Sequence, residues 1–220
     1  YNSGVNYNVL CRKVKDVARA SASLSMLDQH VTDLLDREVG CLPRIIALYG
    51  ATYTPHEFAH SLCLPGDYVA MTSFTHHPFG SKFALETPDN RFGDTFLNLP
   101  IDTLMKRIVQ SLQSGHAVCW EGDTSEAGFR FAEGRATMPE GTKATQEERQ
   151  RLFDRRQTTD DHCMELCGLA RDRKGQRFFI AKNSWGKGNR YKGFVYLSDD
   201  YVRQKTIAVY MRMPIEPLNQ

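Results

Sequence analysis

Apolar residues at helical spacing dominate the first part of the chain. From Val9 to Tyr49 they recur three or four residues apart, which predicts two or three helices ending at Gly50. Thr54 followed by Pro55 and Glu57 predicts a short capped helix that stops at the Leu64-Pro65-Gly66 run. Because a stripe of this kind usually packs against a core, we predict that residues 1–66 form a helical segment packed on the main domain.

The pattern changes after residue 66, where short apolar runs with strand character alternate with turn signals. It predicts a domain over residues 67–220 with a barrel-like antiparallel sheet and packed helices, that is, an α+β fold. The strands are expected at Tyr68–Thr72, Phe83–Glu86, Thr95–Leu99, Ala117–Trp120, Gly193–Leu197 and Thr206–Met213, and the helices at Ile101–Ser114, Thr145–Phe153 and from Ser198 to Tyr201. Gly128–Gly141 lacks clear periodicity and is expected to be a long mobile loop. The Gln146–Arg149 run is expected to give its helix a solvated face.

A hairpin is predicted where the charged run Arg171–Gln176 separates two apolar runs. With the turn centred near Arg173 and Lys174, residues whose numbers sum to about 347 face each other, so His162 and Asn183 fall on a near diagonal. An Asn side-chain oxygen can accept the proton of one imidazole nitrogen and aim the other at a nucleophile. Trp185, two residues further on, is placed to shield that hydrogen bond from water.

These motifs resemble the papain-like cysteine peptidases, in particular the bleomycin hydrolase or aminopeptidase C branch. The similar segments are Gln157–His162, Lys182–Gly186, Thr72–Phe79 and the stretch from Leu99 to Asp123. The resemblance implies the right-hand part of the cysteine peptidase fold and hydrolysis of peptide bonds by a Cys-His-Asn mechanism. By the same resemblance His162 is the catalytic histidine and Asn183 its orienting partner, with no metal or other cofactor.

The nucleophile is the part of the pattern that does not match. No Gln-Gly…Cys-Trp run precedes His162, and the chain starts at Tyr1 rather than Met, so the catalytic Cys is expected on an upstream segment or a companion chain. The six cysteines lack disulfide or zinc-knuckle spacing and are expected to be buried free thiols. On the predicted strand Cys163 faces away from His162, and Cys167 lies further along. Cys11 and Cys41 lie in helical segments without the neighbours of the family's nucleophile.

Two other functions stay open at this stage. The chain could be a catalytically dead papain-like binding domain, or a zinc peptidase through His56 and His60, which lie at i and i+4 around a Glu. His76 and His77 could ligate a metal, but adjacent residues of an extended chain point to opposite sides, which favours a structural role. The acidic residues Glu121, Asp123 and Glu126 are expected at solvated loop ends.

Charge and composition limit the classes of partner that the chain is expected to bind. The net charge is +2 with acidic and basic residues interspersed, which argues against nucleic acid, and no apolar run is long enough for a membrane span. A peptide substrate is expected. The resemblance implies a possible homo-oligomer and a cytoplasmic location, with periplasmic or secreted relatives also known. The family's C-terminal arm, which restricts some members to aminopeptidase action, is not matched by the short Pro-containing run after Met213.

Overall fold

The computed structural model describes residues 4–142 and 144–213, and the chain divides into two compact units between Leu64 and Pro65. The division after residue 66 and the packing of the first segment on the main domain stay predictions. The run from Pro214 to Gln220, on which the comparison with a C-terminal arm depends, lies outside the described residues.

The first unit contains two helices, a small hairpin and a third helix. They are α1 (Tyr7–Ala20), α2 (Leu24–Glu38), β1 (Ile46–Leu48), β2 (Ala51–Tyr53) and α3 (Pro55–Leu62). The capping box predicted at Thr54 is present, with Glu57 accepting from the Thr54 backbone N–H.

Two of the two or three helices predicted before Gly50 are present, but the last stretch of that segment is a hairpin instead of a third helix. Tyr49 and Gly50 both have positive φ, at 50° and 81°, which closes a two-residue hairpin turn between β1 and β2. The apolar stripe is also less buried than expected. Among the described residues of this unit only Leu10 and Leu34 are buried apolar side chains.

The second unit is built on a ten-stranded sheet. Its elements are β3 (Tyr68–Thr72), β4 (Lys82–Ala84), β5 (Thr95–Asn98), α4 (Ile101–Gln113), β6 (Val118–Gly122), β7 (Phe129–Arg130), β8 (Arg135–Ala136), α5 (Gln146–Asp154), β9 (His162–Arg171), β10 (Arg177–Lys182), β11 (Phe194–Ser198), α6 (Asp199–Lys205) and β12 (Thr206–Arg212). The strand order is β4-β5-β3-β12-β6-β9-β10-β11-β8-β7. All neighbours are antiparallel except the pairs β3–β5 and β8–β11. The α+β prediction is confirmed.

The main core lies between this sheet and α4. Leu104 and Ile108 of α4 are fully buried with Trp120, Leu166 and other strand residues, because the apolar face of the helix lies against strands β6, β9 and β12. A second cluster forms around Phe74 and Phe96 near β4 and β5. None of the helices described in residues 4–142 and 144–213 is long and apolar enough to cross a membrane.

Two local predictions in this unit are wrong. The expected loop Gly128–Gly141 contains the β7–β8 hairpin, in which Gly134 (φ 65°) makes the turn and the buried Ala136 joins β8 to β11. The face of α5 that was expected to be solvated is partly buried, since Arg149 and Gln150 are covered by neighbouring backbone.

Candidate active site

The β9–β10 hairpin carries the two residues singled out from the sequence. The strands pair with Arg177 opposite Arg171, and a bulge between Ile180 and Ala181 shifts the register by one residue before Lys182 pairs with Glu165. His162 is the first residue of β9, and Asn183 directly follows β10. The contact predicted from the turn position is therefore present.

The imidazole of His162 is held by the side chain of Asn183. His162 Nε2 lies 2.8 Å from Asn183 Oδ1, and the backbone N–H of Ser184 donates to the same oxygen at 2.7 Å. Because an amide nitrogen could not accept from Ser184, this second bond identifies the atom facing His162 as the oxygen. His162 Nε2 must then carry the proton, which leaves Nδ1 with the free lone pair. Asn183 is only 8% exposed, so the hydrogen bond is protected from water.

An aromatic group covers one side of this pair. The ring of Trp185 lies 4.7 Å from that of His162, and it packs edge-on against Phe131 at 5.1 Å and Phe129 at 5.7 Å. Trp185 itself is half exposed. Sequence reasoning did not identify Phe129 and Phe131, because it assigned their segment to a mobile loop.

The residues before His162 are anchored by a buried ammonium group. Lys205 is 1% exposed, and its Nζ donates to the carbonyl of Gln157 at 3.0 Å and to Thr158 Oγ1 at 3.1 Å. It also forms ion pairs with Asp123 and Glu126. Asp123 is 1% exposed and accepts from the Thr159 N–H. The prediction that Glu121, Asp123 and Glu126 are solvated loop ends is therefore wrong for Asp123, because its counter-ion comes from the distant α6. It is also wrong for Glu121, which lies within β6 and is half-buried.

Asp161 fixes the residue next to the histidine. Its Oδ1 accepts from both the backbone N–H and the hydroxyl of Thr124, at 2.9 and 3.0 Å. His162 also pairs with Gly122 across β9 and β6. Together these contacts fix the position from which the imidazole projects from the sheet.

Two carboxyl groups lie close together here, Glu121 on β6 and Asp160 two residues before β9. Burial raises the pKa of Glu121 to about 8, and a hydrogen bond to Asp160 and the charge of that residue act in the same direction. Burial also raises the pKa of Asp160. Both shifts favour a protonated carboxyl group at this position.

The cysteines differ from the expectation of buried thiols, since all six are exposed. Cys119 and Cys163 lie on neighbouring strands and hydrogen bond to each other, which lowers the pKa of Cys119 to about 7 and raises that of Cys163. Both line a groove of about 640 Å³ that also borders Asn183 and Ser184. No hydrogen bond joins a thiol to His162 in the described part of the chain.

The remaining histidine candidates separate into two groups. His56 and His60 lie on one exposed face of α3 with ring centroids 4.1 Å apart, but Glu57 is engaged in the capping box and is not free to act as a base. His76 and His77 were expected to point apart. That expectation is wrong, because Thr75–His77 form a turn instead of a strand, and both imidazoles contact Glu86.

Comparison with known proteins now adds a family assignment. Residues 50–213 match the model of the Peptidase C1-like family. Among curated proteins, aminopeptidase G of Lactobacillus delbrueckii subsp. lactis is 28% identical in an alignment 158 residues long, which covers 65% of this chain and 35% of that protein.

Solved structures give a consistent fold. The PepW structure from Lactobacillus rhamnosis HN001 aligns with a TM-score of 0.66 and 19% identity, over 96% of this chain and 55% of that one. The bromelain protease of Ananas comosus aligns only in part, over 52% of this chain with a TM-score of 0.34. The chain thus spans about a third of aminopeptidase G and about half of the PepW chain.

Proposed function

The chain belongs to the Peptidase C1-like family, and we propose that it is the His/Asn-bearing part of a papain-like cysteine peptidase with aminopeptidase-like action. The single observation that supports this most is the orientation of His162, whose Nε2–H is held by Asn183 Oδ1 while Nδ1 keeps its lone pair. The nucleophile in this proposal is a cysteine outside the six of this chain, on a preceding segment or a companion chain.

The proposed reaction follows from that orientation. Nδ1 of His162 accepts the thiol proton, and the thiolate attacks the carbonyl carbon of the scissile peptide bond. The leaving amine takes the proton back from His162 as the C–N bond breaks, which leaves a thioester. His162 then deprotonates a water molecule that hydrolyses the thioester and regenerates the thiol.

Asn183 and Trp185 act on His162 rather than on the substrate. The Asn183 oxygen holds the imidazole in one tautomer and stabilises the imidazolium by accepting a charge-assisted hydrogen bond. Trp185, packed on Phe131, shields this bond from water and keeps it strong. The groove that borders Asn183 offers space for a peptide side chain.

The test uses the full-length protein that contains this chain. We expect it to release aminomethylcoumarin from aminoacyl substrates with a free amino group faster than from N-blocked peptides. An epoxysuccinyl thiol-peptidase inhibitor should label one cysteine outside this chain, as shown by peptide mass spectrometry. His162→Ala should lower kcat/KM about 10²- to 10⁴-fold, the usual contribution of a general base. Asn183→Ala should cause a smaller loss.

The matched control is His60→Ala, which removes an exposed histidine of the other unit and should leave kcat/KM unchanged. A full-length protein that neither hydrolyses these substrates nor takes the label would support the alternative, a catalytically dead binding domain. Stoichiometric labelling of one of the six cysteines of this chain would contradict the placement of the nucleophile.

A further inference from the structure

A group of three metal-ligating side chains lies in the second unit, on residues that the proposed peptidase reaction does not use. His76 Nε2 is 3.0 Å from Glu86 Oε2, and His77 Nε2 is 2.8 Å from Glu86 Oε1. The three ligand atoms lie within 4.8 Å of one another. In the described part of the chain no other group of three His, Cys, Asp or Glu residues meets this spacing.

The backbone that carries the two histidines is fixed by buried amide side chains. Asn98 is fully buried, and its Nδ2 donates to the carbonyls of Phe74 and His77 at 2.8 Å each, while its Oδ1 accepts from the Phe74 N–H. Gln150 accepts from the Thr75 N–H. The turn that makes the imidazoles converge is therefore built by groups outside the cluster.

The imidazole rings are also held from the sides. His77 stacks on Phe83 at 4.1 Å and 21°, and His76 lies parallel to Phe153 at 5.8 Å and 16°. These contacts leave few rotamers for either ring, so little side-chain entropy is lost when a ligand binds. Apolar rings also lower the local polarity around the ligand atoms, which strengthens a cation's attraction to the carboxylate.

The site has a partner for the second nitrogen of His76. Gln150 lies at its Nδ1, with Nε2 at 3.1 Å and Oε1 at 3.5 Å. A histidine that binds a metal through Nε2 carries its proton on Nδ1 and donates it to an acceptor nearby. In the metal-free form Gln150 Nε2 donates to His76 Nδ1, and the ring proton sits on Nε2, which donates to Glu86. Metal binding through Nε2 would move the proton to Nδ1 and would require a small turn of the Gln150 amide, so that its Oε1 accepts from Nδ1 as well as from the Thr75 N–H.

From this geometry we propose that His76, His77 and Glu86 bind one Zn²⁺ ion through two Nε2 atoms and a carboxylate oxygen. Two imidazoles and one carboxylate are a donor set that Zn²⁺ prefers, and the fourth position stays open for water because the side chains are 30%, 35% and 54% exposed. The ion would tie the turn at Thr75–His77 to the residue two positions after β4. Its role is to stabilise this part of the second unit, independently of the peptidase reaction.

The experiment titrates chelator-treated protein with Zn²⁺ by calorimetry at pH 7.5 and with Co²⁺ by visible absorption. We expect one Zn²⁺ per chain, and Zn²⁺ in excess should raise Tm by several degrees through preferential binding to the folded state. Co²⁺ should give the intense visible bands of a four-coordinate site without thiolate charge-transfer absorption. Glu86→Gln and His77→Ala should each weaken Zn²⁺ binding at least about 100-fold, since each removes one of three protein ligands.

Two matched variants exclude the competing zinc ligands. His56→Ala/His60→Ala removes the exposed pair on α3, and Cys119→Ser/Cys163→Ser removes the thiol pair; both should bind Zn²⁺ like the parent. The proposal is overturned if either double variant loses the site or if Glu86→Gln binds Zn²⁺ normally. Because Glu86→Gln preserves shape at a half-exposed position, its metal-free Tm and circular dichroism should match the parent. If they differ, His77→Ala takes the place of Glu86→Gln, and the proposal is overturned if His77→Ala binds Zn²⁺ normally.

Discussion

A single backbone N–H decides the chemistry of the candidate catalytic pair. Ser184 donates to Asn183 Oδ1 at 2.7 Å, which orients the amide and assigns the tautomer of His162. The position of a turn in the sequence was enough to predict that His162 and Asn183 meet. The tautomer was not predictable, because it depends on the backbone direction just after β10.

Cys119 is the residue where expectation and structure differ most in chemical terms. Its thiol was expected to be buried, since free cysteines usually are. In β6 the buried Trp120 alternates with the exposed Cys119 and the half-buried Glu121, which places Cys119 on the open face of the sheet, next to Cys163. Which face of a strand is covered depends on the whole sheet and cannot be derived from residue type.

We predict that Cys119 reacts fastest of the six thiols with iodoacetamide at pH 7.5. The hydrogen bond from Cys163 lowers its pKa to about 7, so more than half of it is thiolate at that pH, whereas an ordinary cysteine with a pKa of about 8.5 is mostly protonated. Time-resolved peptide mass spectrometry measures the six rates.

Cys163→Ala tests the cause of that reactivity. It removes the donor to the Cys119 sulfur, so it should slow alkylation of Cys119 at pH 7.5. An unchanged rate in Cys163→Ala would show that the neighbouring thiol does not set the pKa of Cys119.

At the scale of elements, α5 is a charged helix whose side chains hydrogen bond to three other segments of the second unit. Gln146 accepts from the Ile101 N–H at 2.7 Å, and Arg149 donates to the carbonyls of Ser73, Arg203 and Gln204. The helix therefore connects the start of α4, the segment after β3 and the end of α6. Its low apolar content predicted a solvated face, because the pattern does not reveal that backbone carbonyls are its partners.

We predict that Arg149→Met lowers the free energy of unfolding by about 2–4 kcal/mol. The guanidinium is fully buried, and its removal leaves three carbonyl oxygens without their charged donor, at about 1.5–3 kcal/mol for a hydrogen bond to a charged group. Methionine can pack over the ring of Phe74, which the guanidinium covers in the parent, and so limits the loss. Urea unfolding followed by circular dichroism measures the change.

Arg151 on the same helix provides the control. It pairs with Glu148 three residues away, and its side chain is 41% exposed. Solvent screens a surface pair of this kind, so it contributes little and Arg151→Met should be nearly neutral. Equal losses in the two variants would mean that helix propensity, rather than the buried bonds of Arg149, explains the effect.

At the scale of the whole molecule, the order of strands is the part that sequence could not supply. The hairpin β9–β10, helix α4 and strands β3, β5, β6 and β12 were all located from periodicity and turn residues, with ends that agree with the structure or differ by one or two residues. That β12 lies between β3 and β6, and that β8 joins β11 in parallel, depends on contacts far apart in the chain. The PepW-like fold follows from these long-range pairings.

The stability of the molecule should depend on pH through Glu121. The group is faced by Asp160, by the hydroxyl of Tyr210 at 3.3 Å from its Oε2, and by Cys119 and Cys163 on the same side of the sheet. Burial raises its pKa from 4.5 to about 8. In the folded protein Glu121 therefore keeps its proton between pH 4.5 and pH 8, where the unfolded chain has lost it.

The direction in which stability changes with pH follows from this difference in bound protons between the folded and unfolded chain. A raised carboxyl pKa contributes stability that is fully present below pH 4.5 and is lost as the pH rises to about 8. We predict that Glu121→Gln, which stays neutral and can still donate to Asp160, gains Tm relative to the parent as the pH rises from 5 to 8. The difference should be smallest near pH 4.5 and level off above pH 8. Differential scanning fluorimetry over this range measures it.

Glu148→Gln is the control with the opposite sign, because Arg151 lowers the pKa of Glu148 by a side-chain hydrogen bond. Its contribution is present at neutral pH and lost as the pH falls below 4.5, so the Tm difference of this variant should vary only on the acidic side. A Tm difference for Glu121→Gln that is constant from pH 5 to 8 would show that Glu121 is ionised in the folded protein. Glu121 would then carry a negative charge beside Asp160, close to the start of β9 and the candidate catalytic histidine.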